Sequence, residues 1–178
     1  MAFNISEFRS NLIGDGARPN LFEVNLSFPS YVDNANRQLT FLAKTSQIPG
    51  STLGVAPLFY FGRELKFAGN RTFADWSLTI INDEDFSVRR AFEQWMNSVN
   101  NHAANYRDGA AYSPSQYSTD AFVTQFDKAG GILKQYKFVG MFPTDLAPID
   151  LDWGTNDSIE EFGVTLAYQW WESVDSTT

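Results

Sequence analysis

The stretch IEEFGVTLAYQWW, residues 159–171, decides the fold class. Its apolar residues fall at every second position: Phe162, Val164, Leu166, Tyr168 and Trp170 point one way, and Glu161, Gly163, Thr165, Ala167 and Gln169 the other. A period of two marks a strand with one buried face. The same alternation recurs upstream. In LFEVNLSF, residues 21–28, Phe22, Val24, Leu26 and Phe28 share one face, and in DWSLTII, residues 75–81, Trp76 and Leu78 do. Further strands are expected over 38–46, with Leu39, Phe41 and Ala43 inward, and over 58–67, with Leu65 and Phe67 inward. Others are expected over 121–127 and 133–141, with a short one at 147–151. The reading is a mainly β fold of two packed antiparallel sheets, sandwich- or barrel-like, with one flanking α-helix.

That helix lies in NDEDFSVRRAFEQWMNSVN, residues 82–100. Asn82 or Asp83 can cap it, Glu84 and Asp85 suit its positive end, and Asp85 stands four residues from Arg89. Val88, Phe92, Trp95, Met96 and Val99 form its apolar face, so Phe92, Trp95 and Met96 are expected to pack it against the same or an adjacent subunit.

Composition agrees with this outline. The 178 residues suit one domain, 1–178, and 43% hydrophobic content is enough for a sizeable core. Sixteen Phe, seven Tyr and five Trp favour strands, while only 19% of residues are charged. Few charges and many aromatics suit a protein that buries its outside against other copies, and they also suit a compact β domain with a large core. With no cysteine, the chain has neither a disulfide framework nor a thiolate metal site. The start, MAFNISEFRS, is not a basic segment followed by an apolar run, and no run is long enough for a membrane span. The formal net charge is −8, with 21 acids against 13 bases, which argues against tight nucleic-acid binding.

Two segments interrupt the strands. Residues 1–20 read as an irregular arm, with a short turn over 5–12 and breakers at Gly14, Asp15, Gly16 and Pro19. QIPGSTLGVAP, residues 47–57, is too long for a tight hairpin turn and carries Pro49, Gly50, Gly54 and Pro57. Its Ile48, Leu53 and Val55 either fold back onto their own core or meet a partner.

Few residues of the sequence suit an active site. His102 is the single histidine and sits in a polar loop, a zinc site needs more donors, and no phosphate-binding glycine loop is present. Asp83, Glu84 and Asp85 are explained by the helix start. Asp145, Asp150 and Asp152 lie among Pro143, Pro148 and Trp153, which reads as a turn-rich connection rather than a calcium site or a glycosidase pair. A carbohydrate-binding face of Trp153, Trp170 and Trp171 is weaker than core packing for the same residues. The chain reads as neither an enzyme nor a cofactor carrier.

Four blocks carry a resemblance: ARPNLFEVNLSF (17–28), AGNRTFADWSLTIINDED (68–85), GMFPTDLAPIDLDW (140–153) and IEEFGVTLAYQWWE (159–172). In these the chain resembles the tail-tube proteins of long contractile-tailed bacteriophages. The resemblance implies hexameric rings stacked head-to-tail into a hollow tube, assembled in the host cytoplasm and carried in the virion tail. It implies as partners further copies of the chain, a tail sheath, and baseplate and tail-terminator proteins. It also implies double-stranded DNA that passes through the lumen without tight binding. Six copies would bring about −48 to a ring, so acids are expected where water screens them, on the lumen and outer wall. Thr40, Lys44, Ser46, Glu64, Gln125 and Asp127 alternate with apolar neighbours and are the expected lumen residues. The arm and the 47–57 loop are expected to meet the next ring, the loop through Ile48, Pro49, Leu53, Val55 and Pro57. The alternatives are a tube subunit of a DNA-free injection device or tailocin, and a monomeric β-sandwich binding module.

Overall fold

The computed structural model describes residues 5–12, 14, 16–32 and 35–174. The described elements are α1 (Ile5–Asn11), β1 (Phe22–Leu26), α2 (Asn36–Leu42), β2 (Ala43–Thr45), β3 (Thr52–Tyr60), β4 (Arg63–Thr72) and β5 (Trp76–Ile81). They continue with α3 (Ser87–Val99), α4 (Pro114–Tyr117), β6 (Thr119–Phe126), β7 (Ile132–Leu146), β8 (Glu161–Ala167) and β9 (Trp170–Ser173).

All strand pairings are antiparallel, and β7 organises them. Its first half lies between β6 and β9, with β1 beyond β6; its second half pairs with β8, followed by β5 and β2. One 15-residue strand thus serves two layers. The crossing falls near Gly140, whose φ of 66° is in the left-handed region and whose absent Cβ would stand 2.9 Å from Gln169 Cγ. A side chain there would meet both strain and a clash. The layers face each other through one core, in which Trp76 of β5 stacks on Phe138 of β7 with ring centroids 4.4 Å apart. Val24, Leu26, Trp76, Leu78, Phe162, Val164 and Leu166 are buried as their alternation requires, and Phe22 is partly so.

Helix α3 covers one side. Its Val88, Ala91, Phe92 and Trp95 are buried, and Met96 and Val99 are half-buried. The helix begins at Ser87, three residues later than an Asp83 cap would start it, and the Asp83 carboxylate accepts from Ser87 N and Oγ at the end of a turn. Arg89 consequently pairs with Glu93 at 3.0 Å and not with Asp85; it also donates to the Ala147 carbonyl and lies over the Phe162 ring.

Other expectations are corrected. Residues 36–42 form a helix and not a strand, so Leu39 is buried while Phe41 is 76% exposed. Residues 52–72 form a hairpin that turns at Phe61 and Gly62, so the strand expected over 58–67 is two strands. Leu65 and Phe67 are exposed on it, not in the core. Residues 142–146 belong to β7, with Pro143 at a register break that removes the need for its missing N–H, and 147–151 is not a strand. The stretch 159–171 breaks at Tyr168 and Gln169, so Trp170 joins β9 beside Val139 rather than continuing the buried face of β8.

Candidate functional site

The structure concentrates uncovered apolar surface in the β3–β4 hairpin. Its two strands bond to each other and not to the main sheet. Except for half-buried Gly69, every residue in both strands is exposed. Cross-strand pairing puts Leu58 opposite Leu65 and Ala56 opposite Phe67 on one face, with Phe59 opposite Glu64 and Pro57 opposite Lys66 on the other. The 47–57 segment is therefore only partly a loop: Thr52 onward is strand, and Pro57 is accommodated because this strand has an open edge. At the tip, Phe61 and Gly62 both have positive φ, 45° and 78°, as a two-residue hairpin turn of the primed type requires. Phe61 is 91% exposed, touched by the Tyr60 ring at a centroid distance of 4.5 Å. An isolated two-stranded hairpin is marginal in water.

The root of this hairpin is fixed. Trp76 Nε1 donates to the Gln47 carbonyl at 2.9 Å and Trp171 Nε1 to the Gly50 carbonyl at 3.1 Å. On the return path, Phe73 packs at 6.0 Å from the Tyr168 ring. Burial, helped by the Asp75 charge, holds the Tyr168 hydroxyl above its ordinary pKa. The hairpin is thus a projecting element on a rigid base. The arm offers a second uncovered face: Ile5 and Phe8 on α1, with Leu12 just past its end, are exposed on one helical stripe. Of the arm 1–20, residues 1–4, 13 and 15 lie outside the described residues.

The residues singled out from the sequence distribute as follows. Leu53, Val55 and Pro57 lie on β3, whereas Ile48 and Pro49 belong to the root. Ser46 and Ile48 meet Gln125 in a cleft of about 280 Å³ that Pro19 and Phe22 also line. Thr40 is on α2, where its Oγ1 donates to the Asn36 carbonyl. Lys44 on β2 pairs with Glu161, and Glu64 is exposed on the hairpin. Asp127 caps its own turn by accepting from Ala129 N and Gly131 N, each at 2.8 Å. Phe92 and Trp95 are fully buried within the subunit, and the Trp95 indole donates to the Tyr117 carbonyl at 2.7 Å.

The chemical candidates do not assemble. His102, Glu93 and Asp145 border an open cavity of about 600 Å³, but Asp152 is occupied in holding Gly154 N and Thr155 Oγ1. Among the described residues no group of three or more His, Cys, Asp or Glu is placed to hold a metal ion. Among them also, no helix is long and apolar enough to cross a membrane. Of the three tryptophans expected to pack in the core, Trp171 packs partly against it, whereas Trp153, on the segment that enters β8, is 99% exposed and Trp170 is exposed on β9. Sequence reasoning missed Leu58, Phe59, Tyr60 and Phe61 as surface residues; their signal was an aromatic run with a glycine at its end.

The core is thus covered within the subunit, while the firmly rooted hairpin is left uncovered. The fold is that of a chain in the cryo-EM structure of an extracellular contractile injection system, the PVC sheath–tube complex in the extended state. The TM-score is 0.65 at 14% identity, covering 97% of this chain and 98% of that one. Relatives by sequence are nearer: tail tube protein gp19 of Enterobacteria phage T4 is 33% identical over 160 residues, 89% of this chain and 93% of the relative. The tail tube protein of Serratia phage KSP90 is 29% identical over 168 residues, 92% and 93% of the two chains. The family described as phage tail tube protein matches residues 17–174, and the chain belongs to that family. It is a structural component of a phage tail and not an enzyme.

Proposed function

We propose that this chain forms hexameric rings that stack head-to-tail into the tube of a contractile phage tail. The tube conducts double-stranded DNA when the surrounding sheath contracts. The observation that carries this reading is the hairpin 52–72, whose apolar residues its own subunit leaves in water. In a lone subunit they are a liability; covered by a neighbour in every repeat, they become the stacking force. Head-to-tail contacts that stack one ring on the next along an axis never close on themselves, so they yield an open tube.

Three further points support the reading. Among the described residues, the strands β1, β2 and β9 end the layers with open edges, which ring neighbours can pair. The acidic balance keeps phosphate from adhering to the wall. Solved assemblies that contain this fold include a sheath–tube complex, a sheath/tube terminator and a baseplate, so a sheath, a terminator and a baseplate are the proposed partners here. Lys44, Glu64, Gln125 and Asp127 stand as lumen candidates. Ser46, with a buried hydroxyl, and Thr40, bonded within its helix, are weaker ones.

The test is the double substitution Leu53→Asp and Val55→Asp, followed by sedimentation and negative-stain microscopy. Rings or smaller particles without tubes are expected. Tubes of normal length from this variant would overturn the stacking role of β3.

A further inference from the structure

The hairpin differs from the rest of the chain in charge as well as exposure. Residues 52–72 carry Arg63, Lys66 and Arg71 against Glu64 alone, in a chain whose net charge is −8. A basic, apolar projection needs an acidic, apolar receptor, and the same fold carries one at its other end.

Register locates it. In the β5–β8 pair, Trp76 faces Leu166 and Ile81 faces Glu161. The hairpin root adjoins Trp76, through Gln47. The segment 147–160 enters β8 at Glu161 and so lies at the opposite end of that pair. The turn 82–86 lies there too, since Asn82 N donates to the Glu160 carbonyl at 2.9 Å and Asn82 Nδ2 to Glu160 Oε1 at 2.9 Å. Together, 82–86 and 147–161 hold Asp83, Glu84, Asp85, Asp150, Asp152, Asp157, Glu160 and Glu161, with no Lys or Arg. The nearby bases are engaged: Lys44 with Glu161, Arg89 with Glu93 and the Ala147 carbonyl, Arg90 with the Asp85 carbonyl. Among these acids stand exposed Phe86, Leu151 and Ile159, and Trp153, which is 99% exposed.

From this juxtaposition we propose that the hairpin of one copy docks on the 82–86 and 147–160 end of a second copy, with Trp153 as the apolar anchor and the acids receiving Arg63, Lys66 and Arg71. The inference rests on the head-to-tail stacking proposed above and names the receptor. The hairpin root and the receptor lie at opposite ends of the β5–β8 pair, so copies stacked along that direction repeat the contact without closing. Trp and Arg are among the side chains most often found at interface hot spots, and complementary charge fixes which surfaces pair. The α1 stripe is a poorer occupant, because Glu7 and Arg9 leave it without the complementary charge.

A charge-swap assembly experiment on the full chain tests this pairing. One variant reverses the hairpin (Arg63→Glu, Lys66→Glu, Arg71→Glu), a second reverses the receptor (Glu84→Lys, Asp150→Lys, Asp157→Lys), and a third carries both sets. Each single set is expected to raise the critical concentration for tube growth at least ~10-fold, and the combined set to return most of that loss. Zero-length carbodiimide coupling of wild-type tubes, read by mass spectrometry, is expected to join Lys66 to Glu84, Asp150 or Asp157 of another copy. This readout does not depend on any variant folding. Loss of tubes on hairpin reversal with normal tubes on receptor reversal overturns the receptor while leaving head-to-tail stacking intact. So does failure of the combined set to recover together with no such cross-link. A wild-type chain that forms no tubes overturns the stacking reading itself, and this inference with it.

Discussion

Phe61 occupies a backbone conformation that side chains other than Gly, Asn and Asp avoid, at a tip where Asn is the usual residue. Holding an L-residue with a Cβ in the left-handed region costs roughly 1–2 kcal/mol, while an exposed edge-to-face pair such as Tyr60–Phe61 returns only about 0.5 kcal/mol. The strain wins, so Phe61→Asn should stabilise the hairpin of the lone subunit. Its amides are expected to exchange with solvent roughly two- to fivefold more slowly, with the main-sheet amides unchanged. Faster exchange would mean that the ring pair outweighs the backbone. Tyr31 gives a second prediction. Its hydroxyl is buried with no hydrogen-bond partner among the described residues, and burial first, then the Asp108 charge, pushes its pKa from 10.0 up to about 12. The folded state therefore holds the proton that the unfolded chain releases near its ordinary value. This contribution is complete below pH 10 and is lost as pH rises through about 12. Tyr31→Phe should leave neutral-pH stability unchanged or higher, since it deletes an unpaired buried hydroxyl, and should flatten the fall in denaturation midpoint across that window. An alkaline profile identical to the parent's would assign the fall to other groups, such as Tyr168.

At the scale of elements, α3 is where pattern and packing agree. Trp95 is fully buried, stacks with Phe92 at 6.2 Å, meets Phe28 edge-on at 5.9 Å and donates to the Tyr117 carbonyl. Trp95→Ala should cost about 3–5 kcal/mol in denaturant unfolding, and Trp95→Phe less, because the ring volume is largely kept and one hydrogen bond is lost. An unchanged midpoint in the alanine variant would mean that the helix contributes nothing to the cooperative unit. The strands β1, β5 and β8 were equally legible, since each buries one face and a period of two has no rival there. Helix α2 was not, because Leu39, Phe41 and Ala43 alternate as a strand would. The competing helical signal was Ala35, Leu39 and Leu42 at four- and three-residue spacing, and those are the residues that face the core. The hairpin was misread for a different reason. Leu58 to Phe67 looks like one apolar strand unless the chain is allowed to turn at a phenylalanine, and only the Gly62 that follows hinted at it. Its exposure was illegible as well: alternation reports that a face will be covered, not by which molecule.

For the whole molecule the decisive separation is between a core that is complete within 16–50 and 73–174 and a hairpin that adds no buried residue to it. The hydrogen bonds from Trp76 and Trp171 hold the root at Gln47 and Gly50, outside the hairpin strands. Replacing residues 52–72 with a short Gly–Ser link should therefore leave the fold and its unfolding temperature within a few degrees of the parent. Loop-closure entropy argues the same way, because a shorter connection between Gly50 and Phe73 costs slightly less to close than a longer one. The replacement shifts the net charge from −8 to −10 by removing three bases and one acid, which adds self-repulsion between copies as well as deleting the stacking surface. Added salt screens the first effect and cannot restore the second. The excised chain is thus expected to stay dispersed at salt concentrations where the parent forms tubes, as read by sedimentation and microscopy. Salt-induced tubes from the excised chain would mean that repulsion, and not a missing contact, had been limiting. A fall of more than about 10 °C in its unfolding temperature would mean that the hairpin belongs to the subunit's own cooperative core.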